Sequence, residues 1–397
     1  MSDKNLNKTI LLFYLSKFLV GLRFFIPIWL IFGKHFLNLP QLSTLEAISY
    51  ALTILIDIPS GALADILGRK NIIIAGWLFV ALGHAGQGLA NSVFIYILWG
   101  LVSTIATAFV AGTDTAFIYD ALKEKGLSKE FSSVNSKGLF TYRIGIIVAT
   151  FLGGFMYQVN SAFPFVLMGL AEFLSVFCWW FMKEPKMEKI VFSVSSYFNQ
   201  MKDGVSQVFK SSYTKSLSLF YILVGGISFT SLFFFNYSYA IDLKFNAIEQ
   251  SYLFGFTGIA KALIVLVFAK YAKKITEKQV FLGFMIFMII SYLPAMFVGR
   301  NIGIMIITLT EIIAVARYAF LDQFINDEFI SKHRATTLSF MNMMVNIVYL
   351  TIVLAGGYIA NKFNTAYLYT LLGVVILLTI LPITLKLITT KKPLITS

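Results

Sequence analysis

The sequence is poor in the side chains on which soluble enzymes depend. Among 397 residues there is one cysteine, Cys178, so no intramolecular disulfide can close and no thiolate metal site can be built. Three histidines, His35, His84 and His333, stand at unrelated spacings, which argues against catalytic or zinc chemistry built on histidine. No Walker-type loop is present, so the chain is not expected to hydrolyse ATP. Charge is scarce too: 13% of residues are Asp, Glu, Lys or Arg, against about 25% in soluble domains. What abounds is apolar, with 58% hydrophobic residues, 40 phenylalanines and a mean hydropathy of +0.80. Such a chain has too little polar surface to cover a water-soluble globule, and lipid must cover much of it.

The net charge of +13 does not point to nucleic acid. Lys and Arg fall in short clusters between apolar runs, as loop charges of a membrane protein do. The expectation is an all-α integral membrane protein in a lipid bilayer, with no cofactor, no metal and no nucleic-acid partner.

About 20 apolar residues cross the hydrocarbon core. Twelve runs qualify: 10–32, 43–63, 72–90, 93–116, 138–159 and 162–182, then 214–236, 251–271, 279–298, 302–324, 336–360 and 366–388. The first is too long for a signal-peptide core and lacks a small-residue cleavage site, so it reads as a retained membrane helix. Loops on one side carry Lys4, Lys8, Arg69, Lys70, Lys123, Lys125, Lys129, Lys332 and Arg334, while the opposite loops carry little beyond Lys34, Lys244, Arg300 and Lys362. This asymmetry predicts a multi-pass protein of the cell membrane with both termini cytoplasmic.

The longest polar stretch divides the spans six and six. The domains read as an N-terminal six-helix bundle (1–182), a central cytoplasmic loop (183–213) and a C-terminal six-helix bundle (214–397). Within the loop Val194, Tyr197, Phe198, Met201, Val205, Val208 and Phe209 recur at helical spacing, as in an amphipathic helix on the membrane surface. A faint repeat, offset by roughly half the chain, sets the Gly153-Gly154 pair beside Gly356-Gly357. Duplicated halves characterise transporter architectures.

The most specific segment runs from Asp57 to Lys70, Asp-Ile-Pro-Ser-Gly-Ala-Leu-Ala-Asp-Ile-Leu-Gly-Arg-Lys. Gly61 permits close helix approach and Gly68 a tight turn. Asp65, Arg69 and Asp120, the last at the end of the fourth span, form a charge cluster able to latch the two halves in one conformation. Gly61-x-Leu-x-Asp65-x-x-Gly68-Arg69-Lys70 resembles the signature loop between helices two and three of the major facilitator superfamily. Asp57-x-Pro-Ser-Gly61 is similar to the Glu-x-Pro-Thr-Gly of its bacterial drug-efflux-like members. Tyr119-Asp120-Ala-Leu-Lys123 and Arg334-Ala-Thr-Thr-Leu-Ser339 look like those members as well. The resemblance covers nearly the whole chain. It implies two pseudo-symmetric six-helix bundles with a cavity between them.

In the fifth span, Gly145, Ala149, Gly153 and Gly154 form a stripe for helix packing. With Thr150 beside Ala149, the stripe resembles the antiporter motif of the superfamily, which has Gly-Pro where Ala149-Thr150 stand.

Ionisable groups within spans are costly and usually face an interior cavity. Asp57, Glu172 and Glu311 are the acids placed well inside spans, with Arg23, Lys261 and Arg317 as cationic counterparts. These six are the candidate substrate and coupling residues. Nearer the cytoplasmic ends, Asp114 is expected to pair with Arg143, and Lys17 to snorkel toward the interface. Phe24, Trp29, Phe229, Phe233, Tyr237, Tyr318 and Tyr349 are candidate aromatic cavity residues.

The function implied is a monomeric secondary active transporter working by alternating access, specifically proton-coupled efflux of amphipathic small molecules. The alternative within transport is a carrier of a defined metabolite, sugar or organic ion, or a uniporter. An integral-membrane receptor or enzyme would need an extramembrane domain or a catalytic constellation that the sequence does not display.

Overall fold

The computed structural model describes residues 3–185, 205–271, 274–329 and 331–390. Side chains at 3–4, 57–59, 61–62, 65, 267–269, 271, 327, 331–333 and 335 lie outside the described set. Asp57, Gly61 and Asp65 are therefore placed only as positions on a helix, and most of the expected amphipathic segment of 183–213 falls outside the described residues.

The apolar runs fold as helices. In the first half they are α1 (Asp3–Gly21), α2 (Trp29–Gly33), α3 (Leu39–Leu67), α4 (Arg69–Gly88), α5 (Val93–Val110), α6 (Thr113–Lys123), α7 (Phe131–Val159) and α8 (Phe163–Trp180). The second half holds α9 (Ser212–Thr230), α10 (Asn236–Asp242), α11 (Ala247–Tyr271), α12 (Glu277–Tyr292), α13 (Arg300–Glu328), α14 (Ser331–Lys362) and α15 (Thr365–Thr389). Among the described residues there is no strand, and nine helical stretches are long and apolar enough to cross a membrane. Polar residues just ahead of the runs start the helices. Ser211 with Thr214, and Thr276 with Gln279, form reciprocal capping boxes that satisfy the first free N–H groups.

Three spans are broken where the sequence reading had continuous helices. Between α1 and α2 the chain leaves the helix over residues 22–28. Pro27 explains this, because it has no N–H to donate and drives Ile26 out of helical geometry. Between α5 and α6 the chain turns at Gly112, whose φ is +76°. Between α9 and α10 the helix widens into a π-turn over Ser231–Phe235. The first and third breaks are about two hundred residues apart, at matching places in the two halves.

The chain packs as two compact units. One contains the first-half helices together with Asn246–Gly255 at the start of α11. The other contains the second-half helices together with Leu39–Thr44 at the start of α3. In the first unit α4 lies against α5 and α8, and α1 against α7 and α8. Phe13, Trp77, Phe117 and Trp179 fill its core. The Trp179 indole N–H donates to Ser16 Oγ at 2.7 Å, so this ring is buried with its polar atom satisfied. In the second unit α9 lies against α13, α14 and α15, and α12 against α13 and α15.

The small-residue stripe on α7 lets backbones touch. A Cβ on Gly145 would fall 2.6 Å from Phe18 O, and one on Gly153 would strike the backbone of Phe24. Ala149 is fully buried beside them. Gly154 lies against Ala247 and Ser251 of α11, and its N–H donates to Ser251 Oγ at 2.6 Å. In the second unit Gly357 meets Ser43 in the same glycine-on-serine fashion.

Candidate functional site

The second unit carries a buried polar network where charge is most costly. Glu311 of α13 is paired with Lys261 of α11 through Oε2. Its other oxygen accepts from Asn236 Nδ2 at 3.3 Å. Asn236 Oδ1 in turn accepts from Thr310 Oγ1 at 3.0 Å and from Tyr369 OH at 2.8 Å. Asn236 stands directly after the π-turn, so the widened turn sets the register of the residue that reaches Glu311. Such turns are frequent at functional sites. Tyr292 OH and Ser231 Oγ, the latter within the π-turn, are 2.6 Å apart. The result is a carboxylate 2% exposed that is held by an ammonium and an amide.

Arg317, six residues on from Glu311, belongs to a different environment. Its guanidinium carbon lies 4.4–4.9 Å from the ring centres of Tyr221, Phe229 and Tyr318. No described carboxylate forms an ion pair with it, and its Nε and Nη1 lack partners. Stacking on π faces supplies part of what a counter-ion would supply. Asp322 does not contact it directly but accepts from Tyr221 OH at 2.9 Å. Of the proposed cavity aromatics, Tyr318 and Phe233 are 51% and 42% exposed, while Phe24, Phe229, Tyr237 and Tyr349 are buried.

In the first unit, Glu172 of α8 is fully buried and none of the expected cations reaches it. His84 of α4 does: its Nδ1 lies 2.8 Å from Glu172 Oε2. Glu172 Oε1 has no partner. Arg23 stands in the break between α1 and α2, its guanidinium 5.8 Å from the Tyr142 ring centre and its Nε without a partner. The expected Asp114–Arg143 pair is replaced by another. Lys17 Nζ meets Asp114 Oδ2 at 2.5 Å, which takes Lys17 inward rather than to the interface. The turn at Gly112 starts α6 one residue before Asp114 and so aims its carboxylate at α1.

Around the loop that opens α4, Arg69 Nη1 donates to Asp120 Oδ2 at 2.5 Å, with both side chains mostly buried. Both residues belong to the first unit, so the contact joins α4 to α6 within it. Gly68 adopts a φ of +91°, which a side chain would strain. Lys70 adds contacts the sequence did not suggest: its Nζ donates to the Trp180 and Met182 carbonyls at 2.7 Å each. A lysine at the end of α8 favourably meets the negative end of that helix. The Lys70 backbone N–H is shared by the two Glu184 oxygens at 3.1 and 3.2 Å.

Within the second unit Arg317 stands apart from the Lys261–Glu311 pair, and within the first unit Arg23 is not paired with Glu172. The structure joins Lys261 to Glu311, sets Arg317 on aromatic rings, and pairs Glu172 with a histidine. Among the described residues no cluster of three or more His, Cys, Asp or Glu side chains is suited to a metal ion.

An all-α chain with helices of spanning length, interrupted spans and ion pairs buried between helices has the architecture of a multi-pass membrane protein. Comparison with known proteins agrees. The family model for the Major Facilitator Superfamily matches residues 9–326. The chain is 23% identical over 281 residues to the uncharacterized MFS-type transporter YxaM of Bacillus subtilis, covering 68% of each chain. It is 27% identical over 253 residues to Multidrug resistance protein 1 of the same species, covering 62% of this chain and 61% of that one. Quinolone resistance protein NorA of Staphylococcus aureus is 26% identical over 174 residues, 43% of this chain and 44% of that one. A nucleoside transporter, NupG, superimposes with a TM-score of 0.75 at 14% identity, covering 97% of this chain and 99% of that one. The chain belongs to the major facilitator superfamily.

Proposed function

We propose that the protein is a proton-coupled exporter of amphipathic small molecules, working as a monomer in the cell membrane with both termini cytoplasmic. Residues 1–182 and 214–397 act as its two moving halves, linked by 183–213. The observation that carries this reading is the Lys261–Glu311–Asn236 network, a buried carboxylate set beside an irregular turn of a membrane helix. Protonating Glu311 removes its charge and leaves the Lys261 ammonium without its counter-ion. An unpaired buried charge is strongly disfavoured, so Lys261 must lose its own proton or move toward water. Either response links proton occupancy to helix arrangement, which is what coupling requires. The aromatic surface at Phe233 and Tyr318 suits flat, greasy solutes, and the names of two relatives, a multidrug and a quinolone resistance protein, point the same way.

Arg69, Asp120 and Asp65 are assigned the role of a conformational latch, with Gly61 allowing close helix approach, Gly68 shaping the turn and Lys70 anchoring it to α8. Asp57 is assigned to coupling or to the register of α3. The test of the coupling site is uptake into proteoliposomes under an imposed pH gradient. Glu311→Gln is expected to lose uphill accumulation of a dye substrate while keeping downhill exchange. Uphill accumulation equal to wild type would refute the assignment.

A further inference from the structure

The first unit contains a second buried carboxylate whose surroundings the transport reading leaves unused. Glu172 is 0% exposed, one oxygen faces His84 Nδ1 at 2.8 Å, and the other has no partner. With Glu172 ionised, Nδ1 carries the hydrogen and donates it, so Nε2 is the ring's remaining proton acceptor. His84 also lines a cavity of about 200 Å3 between α3, α4 and α5, together with Glu46, Thr53, Ser103, Thr104 and Thr107. That space admits several waters.

The cavity wall has a definite polarity. Thr53 donates its hydroxyl hydrogen to Ser49 O at 3.0 Å, and Ser103 and Thr104 donate to Gly100 O at 2.8 and 2.9 Å. Thr107 donates to Ser103 O at 2.7 Å. With those hydrogens engaged by backbone carbonyls, the four oxygens keep only acceptor capacity. Ser49 and Tyr50 complete the lining and bring hydroxyl groups that can donate, so the wall is rich in acceptors rather than made of them alone, and with the Glu46 carboxylate in it the wall suits a protonated, donor-bearing guest. Other ionisable groups on the elements around the pair and the cavity include Tyr50 of α3, Tyr96 of α5, Lys8 and Tyr14 of α1, Lys137, Tyr142, Arg143 and Tyr157 of α7, and Arg23 ahead of α2. Lys17 of α1 is already engaged by Asp114.

We infer that His84 and Glu172 form a proton-binding pair in the first unit, loaded and unloaded through this cavity. A proton from cavity water adds to His84 Nε2 while Nδ1–H stays on Glu172 Oε2. The pair passes from a net charge of −1 to neutral. That change relieves the cost of a buried carboxylate with an unpartnered oxygen. Release returns the proton to water by the same route, with no bond broken but N–H. The inference rests on the proton-coupled reading only for its use in transport; the binding itself stands apart from it.

The test is infrared difference spectroscopy of the full-length protein in lipid films, recorded between acid and neutral pH with ring-15N histidine. Wild type is expected to show a pH-induced imidazole band that moves on 15N labelling. With His35 and His333 both replaced by Gln as the common background, the band should vanish in His84→Gln and change frequency in Glu172→Gln. Thr107→Val, which makes the cavity less polar, should at least halve the band at a fixed delay after a pH jump. His35→Gln and His333→Gln are expected to leave the band in place. In that background, a labelled imidazole band that survives His84→Gln, or is unchanged in Glu172→Gln, overturns the proposal. So does the same spectral change produced by sodium at constant pH, which would make the guest a metal cation. Should the bands behave as expected while wild type shows no proton-driven accumulation, the pair stands as a proton site and the coupled-export reading falls.

Discussion

Lys261 and Glu311 illustrate why buried ion pairs are poor stabilisers but good switches. Bringing both charges out of water costs several kcal/mol per ion, and their mutual attraction roughly offsets this. Removing one partner leaves the other uncompensated. Lys261→Met is therefore expected to destabilise the protein by about 3 kcal/mol or more. The double variant Lys261→Met/Glu311→Gln should recover much of that loss, because it removes both charges. Unfolding in detergent, followed by intrinsic fluorescence, measures both; additive losses would mean that the pair does not act as a unit. At this scale the sequence was half legible. Both residues stand out as charges in apolar runs, but they are fifty positions apart and nothing local joins them. Glu172 was visible for the same reason, whereas His84 was passed over as an isolated histidine. Arg23 stood as the cation of the same half, but it faces Tyr142 and leaves Glu172 to the histidine. Arg317 misled in the opposite sense: a lone cation suggests a missing acid, and the structure supplies aromatic faces instead.

Elements are governed by what small residues permit and what special residues forbid. The stripe Gly145, Ala149, Gly153 was legible from spacing alone, and α7 uses it to press on α1. Gly145→Val should force α1 and α7 apart at a cost of about 1–3 kcal/mol, as overpacked interiors do. Gly283→Ala has nothing within 4 Å of the added carbon and serves as the control. The folded fraction recovered by size-exclusion chromatography is expected to fall for the first and hold for the second; equal recovery would refute the close-packed stripe. The break ahead of α2 was legible in Pro27, although the apolar run had been read through it. The π-turn was not, since Ser231–Phe235 holds no proline or glycine to mark it, and the contact that gives the turn its interest, Asn236 on Glu311, is long-range. The loop that opens α4 was legible as charge. Asp120→Asn removes the negative charge that Arg69 faces and is expected to reduce transport turnover at least fivefold with expression retained. Normal turnover would remove the latch role.

For the whole molecule, composition fixed the solvent and the apolar periodicity fixed the class of fold, because hydrocarbon leaves few ways to satisfy a backbone. The paired glycines pointed to two halves; the chain packs as two compact units whose bounds differ from 1–182 and 214–397. The exchange of Leu39–Thr44 and Asn246–Gly255 between compact units was not legible, since it depends on long-range contacts such as Gly154 on Ser251 and Gly357 on Ser43. The central claim is that a proton gradient drives solute through this chain by way of buried carboxylates. The most direct measurement is accumulation of a fluorescent amphipathic dye in proteoliposomes with the pH gradient clamped and the membrane potential held at zero. Wild type is expected to concentrate the dye only when the compartment receiving it is acidic, and to stop when the gradient is collapsed. Glu311→Gln is expected to equilibrate the dye without concentrating it. Accumulation that persists without a pH gradient, or that Glu311→Gln leaves unchanged, would contradict the account.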